Sequence, residues 1–356
     1  MEQRRSFVNA VAGAVPSHDI HHPFIAWAEA QVPEGRERAL FRRMAERAGI
    51  QHRWSVLPIA AEGGSPIEPG GFYADAWPGT EARMRVYADA APELALAAIG
   101  KLSDQADLSC ITHLVVASCT GFVAPGIDQI IARRLGLPDV ERTLVGFMGC
   151  YAAVAALRLA HHIVRSEPEA RVLVVTVELS TLHLQRKTQL EPLLAMLQFG
   201  DGAAAALVSA DERGFGFEQL FSLALPESGE LIRWAVGDAG FDMHLSGEVP
   251  ARIGAALAEG EVRGTLLNGW AAEDVDFWAV HAGGRSILDA VERGLELPQG
   301  ALAASRDVLS RFGNMSSSTL MFVLAELAQR PEAGRGVAMA FGPGLAAEGF
   351  RFHKLQ

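Results

Sequence analysis

The chain has 356 residues, of which 49% are hydrophobic and 21% charged, an ordinary composition for a globular protein. Single hydrophobic cores stop growing at roughly 250–300 residues, so we expect two domains or two similar halves fused into one body. The net charge of −11 argues against a nucleic-acid partner, because phosphate binding relies on clustered Lys and Arg.

Six short apolar runs predict buried strands, since each has strand length and is bounded by glycine, proline or charge. In chain order they are residues 6–13, 112–119, 171–179, 203–210, 275–282 and 336–342. Helical periodicity between them predicts helices at 34–48, 90–104, 150–165, 283–296 and 316–330. The near-continuous apolarity of the runs indicates burial on both faces, as in α/β sheets.

Two of the helices carry specific expectations about burial. The pattern of residues 34–48 places Leu40, Met44 and Ala48 on one face and arginines on the other. Residues 150–165 begin alanine-rich and apolar nearly all round, which predicts a buried helix.

The order of the elements is repeated along the chain. In each half an apolar strand ends at a polar or glycine turn, and a later strand adjoins a Phe-Gly pair, at residues 199–200 and 341–342. This weak repeat suggests two related α/β halves, which we place at residues 1–215 and 216–356.

Cysteine usage and hydropathy bear on the cellular compartment, on metal binding and on membrane insertion. The three cysteines form no disulfide framework and no zinc-ligand spacing, which fits a cytoplasmic protein without a metal. No run approaches the ~20 apolar residues that a membrane helix needs.

Cys150 is the first candidate for chemistry. It follows a Gly-Phe-Met-Gly segment and opens the alanine-rich helix, where the positive end of the helix dipole favours thiolate over thiol. A buried structural cysteine is the competing interpretation.

His281 and Asn314 are the other two candidates. His281 ends an apolar strand before two glycines, a place where α/β proteins carry functional side chains, although it could be a core histidine bonded to a backbone carbonyl. Asn314 precedes a serine-rich helix start and could be an ordinary turn or cap. Together with Cys150 they supply a nucleophile, an imidazole to pair with it and a second neutral donor.

Several motifs make the chain resemble the type III polyketide synthases of the chalcone and stilbene synthase family, and bacterial members in particular. They are GFMGCYAA (146–153), FGDGAAA (199–205), WAVHAGGRSIL (278–288), RFGNMSSS (311–318) and AFGPGL (340–345). The resemblance implies a thiolase-like fold of two duplicated α/β halves packed as a layered αβαβα body, and a homodimer.

The resemblance also implies a mechanism. Cys150 would take an acyl starter from coenzyme A, with His281 holding it as thiolate through an ion pair. His281 and Asn314 would stabilise the enolate formed by decarboxylation of malonyl-CoA. Claisen condensation and cyclisation to a pyrone, resorcinol or related secondary metabolite would follow, with no metal or redox cofactor.

Further positions are assigned by the same resemblance. The side chains expected to contact substrate are Phe199, Cys119, Thr120, Ser180, Trp234, Met243 and Ser316. Trp234 stands where the plant enzymes have glycine, so a different starter, such as an aliphatic acyl chain, is expected. Arg43 and Arg47 fall where coenzyme A phosphates are bound, but Leu40 and Ala301 replace two expected lysines, which leaves a donor bound to an acyl carrier protein open.

Three alternatives compete with this interpretation. A ketoacyl synthase III-like condensing enzyme or acyltransferase would use the same triad with an acyl carrier protein, but the Gly-Asn-Met-Ser and Phe-Gly-Pro-Gly motifs favour the polyketide synthase. A papain-like hydrolase has Cys, His and Asn in this order but carries a glutamine upstream, where this chain has Leu144. A catalytically silent thiolase-like scaffold would have no chemical need for all three polar groups.

Overall fold

The structure is a computed structural model, and it describes residues 5–57, 65–74 and 76–356. Across those ranges the chain forms thirteen strands and eleven helices. The strands are β1 (Phe7–Ala14), β2 (His18–Asp19), β3 (Trp54–Ser55), β4 (His113–Ser118), β5 (Glu141–Gly146), β6 (Val172–Leu179), β7 (Asp201–Ser209), β8 (Phe215–Ala224), β9 (Ile232–Gly237), β10 (Gly240–Leu245), β11 (Phe277–Val280), β12 (Gly334–Gly342) and β13 (Ala346–Lys354). The helices are α1 (His21–Gln31), α2 (Arg36–Arg47), α3 (Thr80–Ser103), α4 (Ile127–Arg134), α5 (Ala152–Ser166), α6 (Leu190–Met196), α7 (Val249–Ala258), α8 (Gly260–Leu267), α9 (Arg285–Gly294), α10 (Ala303–Phe312) and α11 (Ser318–Ala328).

Nine of the described strands form one mixed sheet in the order β11-β12-β13-β8-β1-β7-β6-β4-β5. Strands β5, β4 and β6 are parallel, as are β11 and β12, and the other neighbours are antiparallel. Two residue pairs between β1 and β8, Phe7 with Gly216 and Val8 with Phe215, join the strands of the two halves. The division predicted at residues 215 and 216 falls at the start of β8 and stays a prediction.

Helices cover both faces of this sheet. Helices α5 and α11 pack together in one central cluster with side chains from strands of both halves. Helix α3 packs on the opposite face of the first-half strands, and α7 and α9 pack on the opposite face of the second-half strands. The outer helices of each half, the strands of each half and the central pair of helices make five layers, which is the predicted thiolase-like α/β architecture. Both faces of β4, β6 and β7 are buried between these layers, which explains why the strands are apolar.

Each of the six predicted strands and five predicted helices is present, and α5 is buried as expected. The apolar face predicted for α2 was right at Ala48 and wrong at Leu40 and Met44. Phe41, Ala45 and Ala48 are buried, whereas Leu40 is partly exposed and Met44 is 43% exposed. The residue pattern is compatible with burial of either face of the helix. The face that is buried carries Phe41, whose aromatic side chain buries more apolar surface.

Helix α3 begins ten residues before the predicted helix, at Thr80. Its first turns bury Arg83, whose guanidinium donates 2.9 Å hydrogen bonds to the carbonyls of Leu182 and Leu184. A buried arginine with backbone partners has no apolar signature, so the sequence pattern missed this part of the helix.

Candidate active site

Cys150 lies in a tight turn between β5 and α5. Residues Gly149–Tyr151 form one turn of 3₁₀ helix that leads directly into α5. Gly149 has a φ of +77°, and a Cβ atom there would lie 2.4 Å from the Cδ atom of Pro343. The glycine therefore lets the turn pack against the loop after β12, which brings Cys150 to the junction of the two halves.

The Cys150 thiol lies in an enclosed cavity, although the residue as a whole is only half-buried. Burial raises the pKa of the thiol to about 12, while hydrogen bonds with Ser316 and Asn314 act in the opposite direction. The Oγ atom of Ser316 lies 3.7 Å from the Cys150 Sγ atom. The raised pKa runs against the lowered pKa predicted from the helix start, because burial disfavours the charged thiolate.

His281 follows β11 and is 2% exposed. Its backbone N–H donates to the Met339 carbonyl at 2.8 Å, which continues the pairing of β11 with β12. Neither ring nitrogen has a hydrogen-bond partner among the described residues. His281 therefore does not bond to a backbone carbonyl there, as the competing interpretation of a core histidine required. Burial lowers the pKa of the imidazole to about 3, and the ring is neutral and available to a reactant.

Asn314 lies between α10 and α11, and hydrogen bonds hold both its backbone and its amide. The backbone pairs with residues 198–200 through bonds of 2.8 and 3.0 Å. The Oδ1 atom accepts from the Ser316 N–H at 2.8 Å, which is the turn predicted from the sequence. The Nδ2 atom donates to the Gly283 carbonyl at 3.2 Å, which ties the amide to the loop after His281.

The fold thus brings the three candidate side chains to one place from distant parts of the chain. Asn314 bonds to Gly283, two residues beyond His281, and to Ser316, whose hydroxyl lies 3.7 Å from the Cys150 Sγ atom. No hydrogen bond joins His281 to Cys150 within the described part of the chain, so the ion pair between them stays a prediction.

A small cavity lies beside Cys150, and we call it the Cys150 cavity. The seven side chains expected to contact substrate all line it: Phe199, Cys119, Thr120, Ser180, Trp234, Met243 and Ser316. Its wall also contains residues that the sequence analysis did not identify, namely Gly149, Ile232, Arg233 and Pro343. The structure places the predicted residues together, and their contact with substrate stays a prediction.

Trp234 is held rigidly in the wall of the Cys150 cavity. It lies on β9 opposite Met243 of β10. Its Nε1 atom donates to the Cys119 carbonyl at 3.0 Å, and its ring packs edge-on against His183 and Phe241. The indole therefore has one favoured orientation, and it fills space beside the thiol.

Glu178, near the end of β6, is a buried carboxyl that the sequence analysis missed. It is fully buried and accepts hydrogen bonds from the Cys119 N–H at 3.0 Å and the Thr120 hydroxyl at 2.9 Å. The Ser317 hydroxyl also donates to it. Burial raises the pKa of Glu178 to about 7 against these bonds. The sequence feature that could have identified Glu178 is its position as a lone glutamate within an apolar strand. Glutamate is rarely buried without a partner, so this position indicates a specific polar environment.

A larger cavity, which we call the α2 cavity, opens beside the loop that follows His281. Gly283 and Gly284 line it, together with Arg47 of α2. Arg285, which was not predicted, also lines it and donates to the Arg47 carbonyl at 3.3 Å. Arg43 lies exposed on α2 and is not among the lining residues described for this cavity.

The described residues offer neither a metal site nor a membrane-spanning helix. No group of three or more His, Cys, Asp or Glu side chains there could hold a metal ion. Within the same ranges, no helix combines the length and apolarity needed to cross a membrane.

Comparisons with known proteins agree on one family. The model for chalcone and stilbene synthases, N-terminal domain, matches residues 8–212, and the model for the C-terminal domain matches residues 219–356. Bisdemethoxycurcumin synthase from Oryza sativa subsp. japonica is 38% identical over 338 residues, which cover 88% of this chain and 82% of that protein. 1,3,6,8-Tetrahydroxynaphthalene synthase from Streptomyces peucetius subsp. caesius is 34% identical over 358 residues, which cover 97% and 92%. The crystal structure of PKS-I from the brown alga Ectocarpus siliculosus has a TM-score of 0.86 at 27% identity, and the match covers 100% of both chains.

Proposed function

The chain belongs to the chalcone and stilbene synthase family and is a type III polyketide synthase, and from this premise we propose that it loads an acyl starter from coenzyme A onto Cys150 and extends it with malonyl-CoA. The position of Asn314 is the observation that carries this proposal. Its amide donates one N–H to the Gly283 carbonyl at 3.2 Å, in the loop that follows His281. An amide nitrogen has two N–H groups, so one remains for a reacting oxygen.

In the loading step, His281 takes the proton of the Cys150 thiol, and the thiolate attacks the thioester carbonyl of acyl-CoA. The C–S bond to coenzyme A breaks, and coenzyme A leaves with the proton returned by His281. The transfer replaces two buried neutral groups by adjacent opposite charges, whose attraction offsets part of the cost of burying them. The free ring nitrogens of His281 support this role.

In the extension step, malonyl-CoA loses CO₂, and the electron pair of the broken C–C bond forms an enolate. The N–H groups of His281 and Asn314 stabilise its oxygen, and neutral donors suit this step because a strong acid would protonate the enolate. The enolate carbon attacks the acyl carbonyl on Cys150, and the C–S bond to Cys150 breaks. The product now carries a new β-keto group on coenzyme A, and transfer back to Cys150 allows another cycle.

The product is a cyclised polyketide, such as a pyrone or resorcinol, of the kind that serves secondary metabolism. Each step uses thioesters, thiol and neutral donors, so it needs neither a metal nor a redox cofactor. Because Cys150 must stay a free thiol to react, a reducing cytoplasm is the setting that suits the enzyme.

The α2 cavity is the proposed entrance for coenzyme A thioesters. Arg47 and Arg285 line it and could meet phosphate groups, and Gly283 connects its wall to the Asn314 amide. Arg43 would act only outside the cavity, on the exposed face of α2. The same arginines could meet an acidic acyl carrier protein, and that donor is one outcome of the experiment below.

A homodimer is the proposed assembly. Strand β5 is an edge strand of the sheet, and its residues are mostly exposed. Leu144 of β5 is 48% exposed, and Phe122 is 51% exposed. Exposed apolar side chains at a sheet edge favour association with a second copy of the chain.

Mass spectrometry of intact protein tests the proposed reaction. The protein is incubated with malonyl-CoA and acyl-CoA starters of increasing length, and adducts and released products are identified. We expect the acyl group on Cys150, together with pyrone or resorcinol products. Cys150→Ala should give neither, whereas Cys110→Ala, which removes an exposed thiol, should give both. Product formation by Cys150→Ala would overturn the proposal, and extension only with a malonyl carrier protein would replace the coenzyme A donor.

A further inference from the structure

The β9–β10 hairpin stands apart from the main sheet, although it forms part of the wall beside Cys150. Among the described strands, β9 and β10 pair only with each other. Trp234 of β9 and Met243 of β10 face each other across the hairpin, and both line the Cys150 cavity. The placement of the hairpin therefore sets how much room an acyl group has beside Cys150.

His183 lies between this hairpin and the loop after β4. It ends the 3₁₀ turn Ser180–His183 that follows β6, and it is 4% exposed. Its Nε2 atom lies 2.7 Å from the Thr120 carbonyl oxygen, and its Nδ1 atom lies 3.0 Å from the Phe241 backbone nitrogen. One imidazole ring therefore bridges the loop that carries Thr120 and the second strand of the hairpin.

The two partners fix the tautomer of the His183 ring. A backbone N–H only donates, so the bond from Phe241 requires an unprotonated Nδ1 atom. A carbonyl oxygen only accepts, so the bond to Thr120 requires the proton on Nε2. Burial lowers the pKa of His183 to about 3, and the charge of Arg83 acts in the same direction. The ring therefore stays neutral near neutral pH, as both bonds require.

Side chains take the place of a neighbouring strand at the outer edge of β10. The Phe241 N–H donates to His183, and the Phe241 carbonyl accepts from the Nε2 atom of Gln185 at 3.1 Å. The Phe241 ring also stacks on the imidazole, with centroids 4.1 Å apart and an angle of 10° between the planes. Polar and stacking contacts at one residue thus hold an otherwise open strand edge.

The loop after β4 receives a bond from the hairpin and a bond from His183 at successive carbonyls. The Trp234 Nε1 atom donates to the Cys119 carbonyl at 3.0 Å, and His183 donates to the next carbonyl, that of Thr120. Cys119 and Thr120 both line the Cys150 cavity. Trp234 thus ties β9 to this loop, and His183 ties β10 to it, so two walls of the cavity are held in one arrangement.

We propose that His183 is a positioning residue that fixes the β9–β10 hairpin against the loop after β4 and thereby sets which acyl groups fit beside Cys150. His183 is not among the lining residues described for the Cys150 cavity, so it acts through Trp234 and Met243 rather than on reacting atoms. The inference rests on the proposed function, because selection among starters presupposes loading on Cys150.

Nitrogen NMR of the unaltered protein tests the bridge. With ¹⁵N in the histidine rings, we expect His183 to show a protonated Nε2 atom and an unprotonated Nδ1 atom throughout the range from pH 5 to pH 8. The signals are assigned from their absence in His183→Gln. A His183 ring that titrates within this range, or that carries its proton on Nδ1, would overturn the proposal.

Amide exchange tests whether the bridge holds the hairpin. His183→Phe keeps an aromatic ring and loses both hydrogen bonds, and His244→Phe, at an exposed position on β10, is the matched control. We expect the Phe241 amide to exchange at least about tenfold faster in His183→Phe only. Exchange at Val174 of β6 should stay the same in both variants, because the main sheet is intact. Unchanged exchange at Phe241 in His183→Phe would contradict the positioning role.

Kinetics with two starters test the effect on selectivity. A loosened hairpin admits a bulkier group, so we expect the ratio of kcat/KM for benzoyl-CoA to that for acetyl-CoA to rise at least about fivefold in His183→Phe. The kcat for acetyl-CoA should stay within about threefold, because no group that touches reacting atoms is lost. His183→Gln, whose amide carries both a donor and an acceptor, should bring the ratio back toward that of the unaltered protein.

Equal ratios in His183→Phe, His244→Phe and the unaltered protein would overturn the proposal. An equal loss of kcat for both starters would overturn it too, since that pattern indicates a structural role alone. If His183→Phe does not fold, His183→Asn, which is too short to reach both partners, replaces it with the same expected ratio. If the unaltered protein loads no starter on Cys150, the proposed function fails, whereas the NMR measurement still decides the bridge, so the two failures are distinguishable.

Discussion

At the scale of single residues, burial decides the protonation state of the groups in and around the site. It keeps the Cys150 thiol and the His281 imidazole neutral in the free protein, by raising the pKa of one to about 12 and lowering that of the other to about 3. Burial also raises the pKa of Glu178 to about 7, well above its ordinary value of 4.5. Glu178 is therefore a carboxyl whose proton is held up to near neutral pH.

Glu178→Gln should remove a pH dependence from stability. The folded protein holds the Glu178 proton up to a pKa of about 7 and the unfolded chain only up to 4.5, so the stabilisation from this proton is present at low pH and is lost as pH rises through 7. Between pH 5 and pH 8 the free energy of unfolding should fall by about 2.5 kcal/mol more in the unaltered protein than in Glu178→Gln.

Urea unfolding at both pH values measures this difference. Glu169→Gln, at an exposed position, is the control and should follow the unaltered protein. The same fall in Glu178→Gln as in the unaltered protein would show that Glu178 does not hold a proton in the folded state.

At the scale of elements, the β9–β10 hairpin shapes the Cys150 cavity. It carries Trp234 and Met243 as a cross-strand pair, and both line the Cys150 cavity. The hairpin is a separate two-stranded sheet, so it is held over the cavity by side chains rather than by the main sheet. The bond from Trp234 to the Cys119 carbonyl is one such contact.

Trp234→Gly should enlarge the Cys150 cavity and shift the starter range toward bulkier acyl groups. Removing the indole frees the space that it fills beside Cys150, so we expect the ratio of kcat/KM for a bulky starter to that for acetyl-CoA to rise at least tenfold. Val236→Gly, at an exposed position on the same strand, is the matched control. Identical starter profiles for both variants and the unaltered protein would mean that Trp234 does not limit the cavity.

At the scale of the whole molecule, one continuous sheet and two central helices bind the halves together. The catalytic side chains come from both halves, Cys150 from the first and His281 and Asn314 from the second. Helices α5 and α11, which begin just after Cys150 and Asn314, share the central core. The site therefore depends on the packing of the halves, and the exposed β5 edge lies at one end of the same sheet.

Leu144→Arg should weaken the proposed homodimer. Placing a charge on the exposed edge strand costs desolvation when a second copy covers it, so we expect the dissociation constant to rise at least tenfold. Sedimentation velocity over a range of concentrations measures the change, with Gln329→Arg as an exposed control at the end of α11. A monomeric unaltered protein, or equal dissociation constants for the two variants, would contradict the assembly.

The sequence by itself determined the α/β class, the order of the elements, the family and the residues grouped around Cys150. Strands buried on both faces and glycine turns leave local signatures, and the family motifs place residues directly. Only the tertiary structure decided which face of α2 is buried, that burial raises the pKa of the Cys150 thiol, and that Glu178 is a buried carboxyl. These features depend on what surrounds each side chain, and those neighbours come from distant parts of the chain that folding alone brings together.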